Sequence, residues 1–276
     1  TAYEIGVRLV GSEMCIRDSN RLVHENETFE NVVVINWCMG NLCNFKCSYC
    51  VPFLNDGSQR FPSLDEAKRF VNNTLDLYDK KIGKQGKKFY FELTGGEITH
   101  WKDLPEFLTY LRDIGCKAGL ITNGSKPMSW WEKNVDKIDH VCLSYHFEFA
   151  KNDHFYQVAK FLKDKVRLHV NFMMLPEKFN NIFAFASKVK NLGNMSLALQ
   201  PLIVDFDVKL FDYTKIQKNI LDNQHEILSK YIKFDRDFEN YRGAMVKVFE
   251  DDSRVTVSPQ ELISNNENNW NGWKLS

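Results

Sequence analysis

The first regular pattern in the chain consists of the run Val32-Val33-Val34-Ile35 and the capping box at Ser63-Leu64-Asp65-Glu66. Four consecutive β-branched residues predict a strand that is buried on both faces, as in a parallel sheet. After Ser63, apolar residues recur at helical spacing as far as Tyr78. A second apolar run, Phe89–Leu93, follows. This order predicts a strand–helix–strand unit with a right-handed crossover.

The same alternation continues along the chain. Further strands are predicted at 118–122, 140–144, 166–172 and 196–202, with helices between them. Six such units predict an α/β fold, a partial (β/α)6 TIM-like barrel with a short C-terminal α/β tail. We assign residues 20–212 to the barrel and residues 213–276, with a helix and a hairpin, to the tail. Residues 1–19 follow neither period and are predicted to be a non-native or disordered leader.

Composition excludes several classes of protein. Lys plus Arg and Asp plus Glu each number 36 among the 276 residues, so a nucleic-acid partner is not expected. The apolar runs are far shorter than the roughly 18 residues of a membrane span, so no membrane partner is expected. Seven cysteines, with four between positions 38 and 50, do not form the pattern of a secreted disulfide framework. We therefore expect a cytoplasmic protein whose clustered thiols bind a metal.

The clustered thiols are Cys43, Cys47 and Cys50, which follow the first strand with the spacing C-x3-C-x2-C. Barrel enzymes build their sites in loops at the carboxyl ends of strands. Three thiolates at this spacing can hold one iron–sulfur cube and leave one iron open for a reactant. Two non-catalytic alternatives use Cys38 as a fourth ligand, in a structural zinc site or an electron-transfer cluster.

The second strand ends in Thr94-Gly95-Gly96-Glu97, on the same predicted rim. Glycines allow the backbone to approach a ligand closely, and Glu97 adds a carboxylate. Together the two motifs resemble the signature of the radical S-adenosylmethionine (SAM) superfamily. Cys43, Cys47, Tyr49 and Cys50 match its C-x3-C-x-aromatic-C pattern, and Gly95-Gly96-Glu97 match its Gly-Gly-Glu. The resemblance spans about residues 30–205.

This resemblance implies a 4Fe–4S cluster on Cys43, Cys47 and Cys50, with SAM on its fourth iron. Tyr49 would lie against the adenine, and Thr94, Gly95, Gly96 and Glu97 would receive the methionine amino group. Ser144 and Asn171 occupy places where relatives put polar contacts to SAM, although locally satisfied polar groups at strand ends are an equal alternative. No residue is assigned a catalytic role on the substrate.

The family's chemistry implies reductive cleavage of SAM to a 5′-deoxyadenosyl radical, which abstracts hydrogen from a substrate. A flavodoxin- or ferredoxin-like protein would supply the electron. The segment Asn269–Trp273 is similar to the lead-in of the C-terminal SPASM/twitch-type extension, and the tail is expected to be truncated before that cysteine-rich region. This similarity favours a peptide or protein side chain as the substrate, with a small molecule left open.

Four other residues complete the expectations. His146 and Glu148 are predicted to be an exposed pair rather than part of the site. Cys38 is predicted to be a core thiol, if it does not complete a metal site. Cys142 is predicted to be buried as a small hydrophobic residue.

Overall fold

The computed structural model describes residues 21–24, 32–81, 88–204, 209–224, 227, 245–248 and 253–257. The strands in these ranges are β1 (Arg21–His24), β2 (Val32–Cys38), β3 (Lys88–Thr94), β4 (Lys117–Thr122), β5 (His140–Tyr145), β6 (Arg167–Met173), β7 (Ser196–Gln200), β8 (Met245–Val248) and β9 (Arg254–Val257). The helices are α1 (Leu64–Lys81), α2 (Leu104–Asp113), α3 (Met128–Asn134), α4 (Asn152–Leu162), α5 (Phe179–Lys190) and α6 (Lys215–Asp222). Two compact units contain them.

The larger unit lies within Val33–Phe238 and contains one six-stranded sheet in the order β2-β3-β4-β5-β6-β7. The pairs from β3 to β7 are parallel, with registers such as Leu120↔Val141 and Ser144↔Asn171. Each strand is followed in the chain by one helix, from α1 after β2 to α6 after β7. The predicted α/β fold with a partial (β/α)6 TIM-like barrel is therefore confirmed.

Side chains along the strands alternate between the face of the sheet that packs against the helices and the opposite face. On β6, Leu168, Val170 and Phe172 are fully buried, and Phe172 contacts the rings of Phe155 on α4 and Phe185 on α5. The intervening residues of β6 point to the opposite face because successive side chains alternate. Polar residues of the strands can therefore lie on this opposite face without entering the hydrophobic core.

The capping box predicted at the start of α1 is present. The Glu66 carboxylate accepts a hydrogen bond from the Ser63 backbone N–H at 2.7 Å, and the Glu66 N–H donates to Ser63 Oγ at 3.3 Å. Arg60 also donates to both carboxylate oxygens of Glu66, at 2.7 and 2.8 Å. These bonds satisfy donors at the helix start and fix the point where the chain leaves the loop after β2.

A glutamine side chain covers the free edge of β7. Gln224, just beyond α6, accepts from the Leu199 N–H at 2.7 Å and donates to the Leu199 carbonyl at 3.2 Å. The amide thus pairs with this edge residue as a neighbouring strand would. Covering such an edge limits pairing with other chains.

Replacing Gln224 with alanine is expected to lower the free energy of unfolding by about 1–2 kcal/mol, because two hydrogen bonds to the strand are lost. Urea denaturation measures this loss. Lys218→Ala, an exposed change on α6, should stay within about 0.5 kcal/mol of the parent chain. Equal stability of the two variants would show that the edge does not depend on Gln224.

The smaller unit contains a three-stranded antiparallel sheet in the order β1-β8-β9. Strands β8 and β9 lie in the segment for which a hairpin was predicted. Strand β1 falls within the range assigned to the barrel from sequence, yet it pairs with β8, from Arg21↔Val248 to His24↔Met245. Local patterning carries no information about a partner more than 200 residues away. The predicted leader, 1–19, and the segment Asn269–Trp273 lie outside the described residues.

None of the described helices combines the length and the apolar character that crossing a membrane requires.

Candidate active site

The three clustered cysteines lie on the loop that follows β2, residues 39–61, which we call the cysteine loop. The buried Asn41 holds this loop together. Its amide nitrogen donates to the Phe53 carbonyl and to Asp56 Oδ1, both at 2.7 Å, and its oxygen accepts from the Gln59 N–H at 2.8 Å. The loop is therefore held in shape by its own hydrogen bonds.

The thiols of Cys43, Cys47 and Cys50 are close enough to influence one another. Cys47 is buried, and the other two are half-buried. Burial raises the pKa of all three thiols, to about 12 for Cys47, and the negative charges of neighbouring thiolates add to the increase for Cys43 and Cys47. Three cysteine thiolates are the protein ligands of a 4Fe–4S cluster that keeps one iron open. Ligating thiols lose their protons when they bind a metal, and the positive charge of iron would neutralise the thiolates that result.

A cube spreads its three cysteine ligands over three irons, so the thiols need not meet at one point. Within the described ranges, no group of three or more His, Cys, Asp or Glu side chains has a geometry suited to one metal ion. Cys38, expected to be a core thiol, is instead exposed at the end of β2, where its Sγ lies 3.9 Å from the Gly40 carbonyl oxygen. The last residue of a strand that leaves the sheet is no longer covered. Cys142 is buried, as predicted.

The two glycines after β3 allow contact with the cysteine loop. Gly95 has φ +114°, and a Cβ there would lie 2.2 Å from the Gly40 carbonyl oxygen. A Cβ on Gly96, at φ +30°, would lie 2.2 Å from the Leu42 carbonyl oxygen. Backbone bonds join the same segments, from the Met39 N–H to the Thr94 carbonyl at 2.9 Å and from the Glu97 N–H to the Leu42 carbonyl at 2.8 Å. Glycine is therefore required at both positions, because a side chain would collide with the backbone segment that leads into Cys43.

The carboxylate of Glu97 is fully buried and accepts four hydrogen bonds. Its Oε1 accepts from the Thr99 N–H at 3.1 Å, from the Thr99 hydroxyl at 2.6 Å and from the Thr122 hydroxyl at 2.7 Å. Its Oε2 accepts from the Asn123 N–H at 2.6 Å. Glu97 therefore fastens the end of β3 to the end of β4.

The turn after β4 continues this network into the cysteine loop. Asn123 Nδ2 donates to Asn44 Oδ1 at 2.9 Å, and Asn44 Nδ2 donates to Ser125 Oγ at 3.0 Å. Asn44 is the residue directly after Cys43. Neither Asn44 nor Asn123 was assigned to the site from the sequence, because their roles depend on contacts between segments about 80 residues apart. Their positions on the rim were the signal that could have found them.

The loop after β5 contacts the cysteine loop from the other side. Tyr49 Oη lies 2.8 Å from His146 Nδ1, and Cys47 Sγ lies 3.6 Å from the same nitrogen. Glu148 accepts from the Ser48 N–H at 2.7 Å, and Phe149 stacks on Phe45 at 5.4 Å between ring centroids. Glu148 is exposed, but His146 is half-buried. The expectation that these two residues form an exposed pair outside the site is therefore wrong, because both bond to the cysteine loop.

Burial governs the protonation of the aromatic pair. It lowers the pKa of His146 to about 4, although the nearby Glu148 carboxylate acts in the opposite direction. Burial also raises the pKa of Tyr49 far above its usual range, and the nearby Cys47 acts in the same direction. At neutral pH the imidazole and the phenol are both uncharged, so each can donate one hydrogen bond.

Ser144 and Asn171 are neighbours on β5 and β6, at the same level of the sheet. Asn171 is engaged by other side chains. Its Oδ1 lies 2.8 Å from His169 Nε2, and its Nδ2 donates to Cys142 Sγ at 3.3 Å. His169 Nδ1 lies 2.7 Å from Ser196 Oγ. An amide held in this way keeps one N–H and one lone pair of its oxygen for a ligand.

His140, at the start of β5, gives the larger unit a measurable pH dependence. Burial lowers its pKa from 6.5 to about 4, and the charges of His169 and Arg167 act in the same direction. Glu92 lies beyond hydrogen-bonding distance, with Oε1 3.9 Å from His140 Nδ1. Between pH 6.5 and pH 4 the unfolded chain binds more protons than the folded chain, so stability falls as the pH falls.

Lowering the pH from 7 to 5 is expected to remove about 2 kcal/mol of stability through His140 alone. Chemical denaturation at the two pH values measures the change. The His140→Gln variant should lose about 2 kcal/mol less over the same interval. An identical pH dependence of stability in the parent chain and in His140→Gln would contradict the assignment of this loss to His140.

Parts of the chain are similar in sequence to known proteins. No protein-family model matches the chain. A GTP 3',8-cyclase of Tolumonas auensis is 31% identical over 105 residues, covering 35% of this chain and 29% of that protein. An Fe-coproporphyrin III synthase of Methanosarcina barkeri is 30% identical over 132 residues, covering 47% and 30%. The alignments thus span less than a third of either relative.

Among solved structures, Streptococcus suis SuiB bound to S-adenosylmethionine aligns with a TM-score of 0.43 and 17% identity, covering 73% of this chain and 43% of that chain. SuiB bound to its precursor peptide SuiA aligns with a TM-score of 0.46 and 14% identity, covering 72% and 46%. Alignments at these scores do not establish a substrate or a partner.

The (β/α)6 barrel thus carries a loop with three cysteines after its first strand. Over part of their length, the chain is similar to enzymes of the radical SAM superfamily. The cofactors of this superfamily are a 4Fe–4S cluster and S-adenosylmethionine.

Proposed function

We propose that Cys43, Cys47 and Cys50 hold the 4Fe–4S cluster and that the chain uses it for reductive cleavage of SAM. When bound and reduced, these cofactors supply a 5′-deoxyadenosyl radical, which takes a hydrogen atom from a substrate. The observation that carries the proposal is the cysteine loop, which contains all three thiols and is fastened by backbone hydrogen bonds to the segment of the Gly-Gly turn. This arrangement fits a cluster with three protein ligands.

We propose that the backbone of Thr94, Gly95 and Gly96 receives the amino group of SAM. Glu97 acts as a positioning residue, because its carboxylate already accepts four internal hydrogen bonds. The ring of Tyr49 lies against the adenine in this proposal. Ser144 and the remaining N–H of Asn171 contact the ribose or the carboxylate.

The substrate is proposed only by class. The names of the two curated relatives refer to a nucleotide and to a porphyrin, and SuiB was solved with a precursor peptide. We propose a peptide or protein side chain as the first class to test and a small molecule as the second. A flavodoxin- or ferredoxin-like protein in the cytoplasm supplies the electron. Within the chain, we propose that residues from β2 to α6 form the catalytic barrel and that the segment beyond this unit is an accessory tail.

The test is formation of 5′-deoxyadenosine without added substrate. The protein is reconstituted anaerobically with iron and sulfide, reduced with dithionite and mixed with SAM, and the nucleoside is measured by mass spectrometry. We expect product from the parent chain and none from Cys43→Ala. A full cluster that yields no nucleoside would contradict the proposal and favour the electron-transfer alternative. Zinc retained in place of iron would favour the structural alternative.

A further inference from the structure

A continuous series of hydrogen bonds crosses three strands of the six-stranded sheet and passes through the Asn171 amide. Ser196 Oγ on β7 lies 2.7 Å from His169 Nδ1 on β6. His169 Nε2 lies 2.8 Å from Asn171 Oδ1, and Asn171 Nδ2 donates to Cys142 Sγ on β5 at 3.3 Å. Cys142 is buried, and the other three residues are half-buried. This amide network, as we call the four side chains, holds both polar ends of an amide that we propose to contact SAM.

His169 lies deeper in the barrel than Asn171. The two residues share one face of the sheet, because they are two positions apart on β6. Asn171 is level with Ser144, whereas His169 is level with Cys142, one step further from the carboxyl ends of the strands. Such a step of two residues measures about 6–7 Å along a strand. A ligand at the rim is therefore closer to Asn171, and His169 is placed to act through the amide rather than by contact.

Counting protons gives the amide network a direction. Burial lowers the pKa of His169, although the bond to Asn171 and the charge of Glu92 act in the opposite direction. The imidazole is therefore neutral at pH 7 and carries one N–H. The amide oxygen can only accept, so this hydrogen lies on Nε2, and Nδ1 accepts from the Ser196 hydroxyl. The reverse direction would leave the amide oxygen to the S–H of Cys142, which is a weak donor.

We propose that His169 is a positioning residue for Asn171, whose amide it fixes through Nε2–H so that the remaining amide N–H is presented to an oxygen of SAM. The terminal torsion of an asparagine is otherwise broad, and the two ends of the amide can exchange places. An exchanged amide would present its oxygen, and two acceptors form no hydrogen bond. The inference deepens the proposed function and rests on it, because it requires Asn171 to contact SAM.

The protonated nitrogen of His169 is the first measurement. In ¹H–¹⁵N NMR spectra of the reconstituted full chain with its cluster oxidised, the ¹⁵N shifts separate a protonated imidazole nitrogen from an unprotonated one. The spectrum of His169→Leu assigns the signals, because those of His169 are absent from it. We expect the hydrogen on Nε2 at pH 7. A hydrogen on Nδ1 would overturn the proposal, because His169 would then accept from the amide instead of fixing its oxygen.

The affinity for SAM is the second measurement, made by equilibrium dialysis with the cluster oxidised so that SAM is not cleaved. His169→Leu is expected to raise the Kd of SAM about tenfold, because the amide no longer keeps its N–H in place for a charged ligand. His169→Gln should restore most of the affinity, because a glutamine amide N–H can replace Nε2–H. The double variant His169→Leu, Asn171→Ala should match Asn171→Ala, because His169 acts only through Asn171.

His140→Leu is the matched control. His140 is also a half-buried imidazole, on the neighbouring strand β5, and its Nδ1 has no hydrogen-bond partner among the described residues. The same substitution there should leave the Kd of SAM unchanged. A general loosening of the barrel would weaken binding in both variants, whereas loss of the amide network weakens it only in His169→Leu.

Two binding results would also overturn the inference. One is an unchanged Kd in His169→Leu, and the other is an increase that persists in the Asn171→Ala background. If His169→Leu does not fold, Ser196→Ala takes its place, because it removes the donor that holds the hydrogen on Nε2, and an unchanged Kd there overturns the inference. Failure of the proposed function looks different, because the parent chain itself would then assemble no cluster or bind no SAM.

Discussion

Replacing Cys47 with alanine is expected to leave the reconstituted chain without a 4Fe–4S cluster. Cys47 is the buried member of the three clustered thiols, and its loss leaves two ligands where the cube needs three. Iron and acid-labile sulfide should fall to background, and the brown colour of the parent chain should be absent. The fold should persist, because the cysteine loop is held by Asn41 and by the contacts around Glu97.

Cys38→Ala and Cys116→Ala are the controls for this experiment. Cys38 is exposed and Cys116 is buried, so their exposures lie on either side of those of the half-buried proposed ligands Cys43 and Cys50. Both variants should retain the cluster at the stoichiometry of the parent chain. If Cys38→Ala lost its cluster as completely as Cys47→Ala, the centre would have four cysteine ligands and no open iron.

Replacing Gly96 with alanine is expected to cost about 3–5 kcal/mol of stability, because two penalties combine. The residue has φ +30°, a region that alanine disfavours, and its new Cβ would lie 2.2 Å from the Leu42 carbonyl oxygen. Neither backbone segment can yield cheaply, because the Glu97 N–H is bonded to that same carbonyl. Moving Leu42 would also move Cys43, so cluster content should fall together with stability.

Gly115→Ala separates these two penalties. Gly115 also has a positive φ, +76°, but a Cβ there would meet nothing within 4 Å. This variant should lose only about 1–2 kcal/mol and retain its full cluster. Thermal unfolding and iron content, measured on both variants, give the comparison. Equal losses at the two positions would show that close approach to the cysteine loop is not what Gly96 provides.

The barrel could be predicted from the sequence because its information is local. Strand Lys88–Thr94 is largely buried, and a buried strand appears as a short apolar run wherever it lies in the chain. The run in Val32–Cys38 marked a strand correctly, but the expectation that it is buried on both faces is wrong, because the strand lies at the edge of the sheet and its residues are half-buried or exposed. Contacts between segments that are far apart in the chain leave no such pattern in the sequence. Neither the pairing of β1 with β8 nor the amide of Gln224 on the edge of β7 could be read from periodicity.

The candidate site divides in the same way. Motif spacing identified Cys43, Cys47, Cys50 and the Gly-Gly turn as candidates, and their assignment to cofactors stays a prediction. The partners of Glu97 and the contact of His146 with Tyr49 depend on how separate loops meet on the rim. A residue such as His146, one position beyond its strand, is indistinguishable in sequence from an exposed one. Only the tertiary arrangement shows which strand ends bond to one another.

The hydrogen bonds of Asn41 have a consequence for the stability of the protein in the presence of oxygen. Many small metal-binding domains unfold when their metal leaves, because the metal supplies the free energy of folding. Here the amide of one buried asparagine ties the cysteine loop across residues 53–59 through hydrogen bonds that do not involve the cysteines. A chain that loses its cluster to oxidation should therefore remain folded and resist proteases. The lost cluster can then be rebuilt from iron and sulfide on the folded chain, without synthesis of new protein.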